Sequence, residues 1–194
     1  MKELEEKYLK LTDSPHIAKY WAMVEWFDQT VGELLNYLKE KGLEENTIIV
    51  YTCDNGWIQS EDSSKYASRS KRAPHEGGIR TPLMIKFPQK IQPQINTENL
   101  VSNIDIVPTV LSLLGLEKGN LPGINVLDKA ALTDRKTIFA EAYHHDIADV
   151  EEPSASILYK IAVEKDWKLI LPNTEMVQKE ATTEAEHYKG YYSK

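Results

Sequence analysis

A short apolar run, Ile48-Ile49-Val50-Tyr51-Thr52, stops abruptly at Cys53-Asp54-Asn55-Gly56, and this junction constrains the chain more than any other feature. The run is too short for a helix and lacks alternation, so it reads as a strand covered on both faces. Ahead of it, Ser14-Pro15 places a capping side chain before a proline at the first helical position. Ile17, Tyr20, Val24, Phe27, Val31, Leu34 and Leu38 then recur at steps of three and four, and Gly42 closes the helix. Trp21, Trp26 and Phe27 read as packing residues rather than a cofactor box. A long helix, a short loop and a buried strand at about 47–53 form the αβ half of a parallel-sheet unit. In such sheets ligands bind beyond the carboxyl ends of the strands, where Asp54 and Asn55 stand.

Residues 57–75 are rich in Ser, Lys and Arg and predict a long loop, of the kind that is usually functional or disordered. Glu76-Gly77-Gly78 ends it, and a strand follows at about 80–87 with Pro82 near its start. Ser102-Asn103-Ile104-Asp105 has capping-box form and opens a short helix carrying Ile106, Val110, Leu111 and Leu114, with Pro108 in its first turn and Gly115 at its end. Residues 116–136 form a connector with one helical piece near Leu127–Leu132. Thr137–Tyr143 precedes two runs, Leu158–Val163 and Trp167–Leu171, joined by Glu164-Lys165-Asp166. Their alternation predicts a hairpin burying Tyr159, Ile161 and Val163 together with Trp167, Leu169 and Leu171. The expected organisation is a larger α/β part over 1–120 and, over 121–194, the connector, a small antiparallel α+β subdomain and a polar tail from 173.

Asp54 and Asn55 offer two hard oxygens of the kind Ca²⁺ selects, although Asp-Asn-Gly is equally good turn chemistry and two donors do not complete a site of six to eight. Lys71 and Arg72 read either as a solvated basic loop or as an anion site beside two glycines that permit close backbone approach and positive φ. A lysine about 4 Å from a sulfate gains roughly 4 kcal/mol at an effective dielectric of 20, enough to orient the group. His144 and His145 are adjacent on an extended segment, so they face apart and do not share an ion. They read as a polar loop with substrate contact as the alternative. Cys53 reads as a small buried hydrophobe. As the single cysteine it excludes a disulfide framework.

Composition excludes several classes. Among 194 residues 41% are hydrophobic, enough for a core, and the formal charge of −7 argues against nucleic-acid binding. No apolar run approaches the ~18 residues of a membrane span, and the charged opening Met1-Lys2-Glu3-Leu4-Glu5-Glu6-Lys7 is not a signal peptide.

Taken together these motifs resemble a family. Asp54-Asn55-Gly56, then Lys71 five residues before Glu76-Gly77-Gly78-Ile79-Arg80-Thr81-Pro82, are similar to the second half of a sulfatase catalytic domain. So are Met23-Val24-Glu25-Trp26-Phe27-Asp28 with Val31-Gly32, Ser102 with Asp105 and Pro108-Thr109, Leu114-Gly115, and Leu121-Pro122-Gly123 with Val126-Leu127. The resemblance covers most of residues 14–172.

It implies an alkaline-phosphatase-like α/β fold, a partial mixed sheet flanked by helices, with a small C-terminal antiparallel α+β subdomain. It also implies hydrolysis of sulfate monoesters on a sulfated small molecule or carbohydrate. Asp54 and Asn55 map onto the family's Ca²⁺ ligands and Lys71 onto its sulfate-binding lysine, while His75 stands where tyrosine is frequent and joins His144 and His145 as a candidate substrate contact. The family's nucleophile is a formylglycine made from a cysteine or serine in a Cys-x-Pro-Ser-Arg type motif. That motif, the early Asp pair and the catalytic histidine are absent here, and Cys53 is no substitute because Asp54-Asn55-Gly56 follows it. The Leu-Tyr-Asp-Leu strand and Asp-Pro turn usual after Pro172 are also missing. The expectation is therefore the C-terminal part of a sulfatase, inactive alone, whose nucleophile and remaining ligands lie in an N-terminal half and whose parent is exported. The alternatives are a phosphate mono- or diester hydrolase of the same superfamily, or a non-catalytic remnant.

Overall fold

A computed structural model of the chain describes residues 1–144 and 149–178. The chain divides into two compact units, Met1–Ile95 and Asn96–Lys194.

The first unit begins with α1 (Lys2–Tyr8) and the long α2 (Pro15–Glu40). Ser14 caps α2 as its residue type predicts, its Oγ accepting from the Ile17 N–H at 3.3 Å. The same hydroxyl donates to the Glu61 carbonyl at 2.5 Å, fastening the long loop to the helix start. Lys7 pairs with Glu25 at 2.6 Å and Tyr8 meets Trp21 edge to face, which holds α1 along α2. Gly42 leaves the helix at φ +67°, a conformation that favours glycine.

The strands are β1 (Ile49–Thr52) and β2 (Leu83–Lys86), with one helical turn, α3 (Glu76–Ile79), between them. They pair antiparallel, Ile49 opposite Lys86 and Thr52 opposite Leu83. The parallel pairing expected for β1 is not found among the described residues. The reason is the return of the chain: the Gly56 N–H donates to the Gly78 carbonyl at 2.8 Å, so β2 starts beside the carboxyl end of β1 and must run back along it. β1 is half-buried throughout rather than covered on both faces. The α2 stripe is likewise incompletely covered: Phe27 packs on Tyr51, but Val24 and Leu34 are exposed and only Ala18 and Ala22 of the helix are buried.

In the second unit Ser102 and Asp105 form the expected capping box, followed by α4 (Ile106–Leu113), α5 (Lys129–Asp134) and the antiparallel sheet β3 (Ile138–Tyr143), β4 (Ile157–Glu164), β5 (Trp167–Pro172), in that order. Asp105 is completely buried and organises this unit. It accepts N–H groups from Ser102 (2.8 Å) and Ile124 (2.9 Å) and a two-pronged guanidinium contact from Arg135. One carboxylate thus ties the start of α4 to the connector and to the end of α5.

The hairpin forms where expected, but its second strand is turned over. Lys165, at φ +47°, and Asp166 make a two-residue turn, so Glu164 faces Trp167, Ala162 faces Leu169 and Ile161 faces Ile170. Odd residues of β4 therefore share a face with even residues of β5, because side chains alternate with period two and register fixes the face. Ile161 is buried, whereas Trp167 is 82% exposed, and Leu169 and Leu171 lie with it on the outer face beside Phe139.

Candidate functional site

The end of β1 delivers Cys53, Asp54 and Asn55 into a junction built from glycine. A Cβ on Gly56 would lie 2.3 Å from the Gly77 carbonyl oxygen, and one on Gly78 would lie 2.1 Å from that of Ala73. The glycine pair thus serves close backbone approach, and neither member adopts the positive φ that the sequence also allowed. The result is tight contact between the Asp-Asn-Gly turn and the Glu-Gly-Gly turn.

Asp54 is exposed, and its Oδ1 accepts the Asn55 N–H at 2.9 Å. The Asn55 side-chain nitrogen donates to the Gly56 carbonyl at 2.8 Å, which leaves the amide oxygen uncommitted among the described residues. Carboxylate and amide oxygens are the donor types an oxygen-seeking cation selects as part of its shell. They do not complete one: among the described residues no group of three or more His, Cys, Asp or Glu side chains is placed to hold a metal. Cys53 Sγ donates to the Tyr51 hydroxyl at 3.9 Å, and that contact, with burial, pushes the phenol above its ordinary range.

The loop from Trp57 to Pro74 folds back on this junction. Ser70 is fully buried, and its Oγ accepts the Ile58 N–H at 2.5 Å. Arg69 and Arg72 both occupy the left-handed region, at φ +58° and +70°. Such conformations are uncommon for residues with a side chain and persist where surrounding contacts enforce them. Between them Lys71, half-buried, holds Nζ 5.9 Å from the centre of the Trp57 ring. No ion pair neutralises Lys71 among the described residues. Lys71 lies over the ring of a residue two positions past Asn55, and Gly78, in the turn that follows the lysine, is bonded through its carbonyl to Gly56.

His75 precedes α3, and its Nδ1 is buried without a hydrogen-bond partner among the described residues. His144 lies in the second unit, where its backbone N–H donates to the Ser156 carbonyl at 2.8 Å. His145 falls outside the described residues. Sequence reading missed Ser70 and Trp57. No pattern marks Ser70, whose role depends on the fold-back of the loop. Trp57 carried a signal: it is a large aromatic side chain directly after Asp-Asn-Gly in an otherwise polar loop.

Comparison with known families accounts for these motifs. The sulfatase family model matches residues 2–116, and the model for the N-sulphoglucosamine sulphohydrolase C-terminal region matches residues 65–189. The chain belongs to the sulfatase family.

Among curated sulfatases, one from Formosa agariphila is 38% identical over 125 residues, covering 58% of this chain and 23% of its own length. An N-acetylglucosamine-6-O-sulfatase from Bacteroides thetaiotaomicron is 33% identical over 159 residues, covering 80% of this chain and 27% of its own length. The chain therefore spans about a quarter of these two sulfatases. Among solved structures, that of Ps i-CgsB in complex with k-i-k-neocarrahexaose superimposes with a TM-score of 0.66 at 19% identity, over 98% of this chain and 43% of that one. At that identity the likeness establishes the fold, a partial alkaline-phosphatase-like α/β architecture with a small C-terminal subdomain.

Proposed function

We propose that this chain supplies the sulfate-anchoring side and two cation ligands of an enzyme that hydrolyses sulfate monoesters on carbohydrates. The observation that supports the reading is that Lys71, which no ion pair neutralises among the described residues, is held at the ring of Trp57, the residue that directly follows the Asp54-Asn55-Gly56 turn. Names among the relatives point to sugars: an N-acetylglucosamine-6-O-sulfatase, an endo-4-O-sulfatase and an ulvan-active sulfatase.

In this reading Lys71 binds a sulfate oxygen and offsets negative charge as the ester bond breaks. The Trp57 face limits how water screens that ammonium, so the contact is stronger than in bulk solvent. Asp54 and Asn55 present carboxylate and amide oxygens to Ca²⁺, which supplies charge neutralisation at the sulfate when bound. Donors from outside this chain complete its shell. The nucleophile, a formylglycine from a Cys-x-Pro-Ser-Arg type motif, also lies outside this chain, and no residue here substitutes for it.

Assay of the purified 194-residue chain on an aryl sulfate with added Ca²⁺ is expected to give no turnover, and metal-dependent turnover would overturn this division of labour. Reading the coding DNA on the 5′ side of Met1 tests the chemistry. A Cys-x-Pro-Ser-Arg type codon run supports sulfate ester hydrolysis, whereas an unmodified Ser or Thr nucleophile would replace it with phosphate ester chemistry.

A further inference from the structure

Trp57 stands in a polar surface loop and remains 38% exposed even with Lys71 Nζ over its ring. Its indole is nevertheless held in place. Tyr66 meets it edge to face at 5.4 Å and 70°. Its Nε1–H donates to Gln59 Oε1 at 3.4 Å. Gln59 is itself anchored, its side-chain amide donating to the Ser63 carbonyl at 2.8 Å and the Lys65 carbonyl at 2.9 Å. The Gln59–Tyr66 bridge closes this segment of the loop. A ring fixed on several sides and still exposed is pre-organised for a ligand, because little freedom remains to be lost on binding.

We infer that Trp57 is the platform on which the sugar ring of the substrate stacks, with Lys71 fixing the distance from that ring to the ester. The inference rests on the reading of Lys71 as the sulfate anchor. A sulfate oxygen bonded to Lys71 Nζ at about 2.8 Å falls within about 9 Å of the indole centre, given the 5.9 Å from Nζ to that centre. An ester-linked pyranose spans this gap, and its apolar C–H face suits an indole, whose negative face attracts polarised C–H groups as it attracts the ammonium. Trp57 is thereby a specificity-determining residue: it rewards a flat, saturated ring beside the sulfate and gives nothing to inorganic sulfate.

The test is titration of the 194-residue chain, with Ca²⁺ present, by inorganic sulfate and by a hexose 6-sulfate, followed by NMR. The hexose sulfate is expected to bind roughly three- to tenfold more tightly than inorganic sulfate, the range of a stacked aromatic contact. Its ring C–H protons are expected to show Overhauser contacts to the Trp57 indole. Trp57→Ala should collapse that affinity ratio towards one, and Trp57→Phe should restore most of it. Loss of sulfate binding in Lys71→Ala, with the affinity ratio unchanged in Trp57→Ala, would overturn the Trp57 inference and leave the sulfate reading standing. Absence of binding by both ligands, or binding indifferent to Lys71→Ala, would overturn the sulfate reading and this inference with it.

Discussion

Replacing Arg135 by methionine removes the guanidinium from the buried carboxylate of Asp105 while keeping an unbranched side chain of comparable reach. Asp105 has no solvent exposure, and among the described residues it would retain only the N–H groups of Ser102 and Ile124 as donors to its carboxylate. Breaking a buried pair from one side costs about 3–5 kcal/mol, because a charge is left without its partner. The two remaining hydrogen bonds place the expected cost near the lower bound, about 3 kcal/mol. The loss is local, since Asp105 joins the start of α4 to the connector at Ile124. Hydrogen exchange read by mass spectrometry on peptides spanning Ser102 and Ile124 should therefore show protection falling by about a hundredfold. The pH dependence has a definite sign. Burial alone would raise the Asp105 carboxyl, but Arg135 and the N–H groups of Ile124 and Ser102 outweigh it and hold the group below the ordinary aspartate range. The folded state thus binds the proton more weakly than the unfolded one. The stability from this group is fully present above the unfolded value of about 3.9 and is lost as pH falls through the folded value. Thermal unfolding followed from about pH 5 to about pH 2 should show this acid-side loss in the native chain and a shallower one in Asp105→Asn. Protection in Arg135→Met within threefold of the native chain would refute the argument.

Two further outcomes follow from packing. Gly78→Ala places a methyl group 2.1 Å from the Ala73 carbonyl oxygen and 2.4 Å from that of Ser70, so the loop must move. A loss of about 2 kcal/mol or more is expected, read as a lowered unfolding midpoint, and an unchanged midpoint would contradict the close approach. The exposed apolar residues of α2, among them Trp26, Phe27 and Leu34, together with Trp167 and Phe139 on the outer face of the second sheet, should make the isolated chain self-associate. Sedimentation velocity should show concentration-dependent oligomers, and a monomer with a sharp unfolding transition would count against it.

Local signals made much of the fold legible. The Ser14-Pro15 start, the Gly42 stop and the Ser102–Asp105 capping box are each set by a few adjacent residues, and each lies where the residue types place it. Strand direction and facing were not legible. The antiparallel return of β2 depends on Gly56 bonding to Gly78, a contact between distant positions. The outward turn of Trp167, Leu169 and Leu171 follows from a two-residue turn that fixes register, which alternation within one strand does not encode. At the candidate site, residue chemistry proposes Asp54, Asn55 and Lys71, whereas the buried Ser70 that pins the loop and the immobilised Trp57 emerge only once the loop is folded.

Binding of inorganic sulfate to the 194-residue chain, followed by NMR with and without Ca²⁺ in the native chain, Lys71→Ala and Asp54→Ala, tests the convergence of cation and anion chemistry most directly. The expected result is that sulfate shifts the amides of the Lys71–Gly78 segment, that Ca²⁺ shifts those around Asp54 and strengthens sulfate binding, that Lys71→Ala abolishes the sulfate response, and that Asp54→Ala abolishes the calcium response. Sulfate shifts confined to other regions, or an undiminished response in Lys71→Ala, would contradict it.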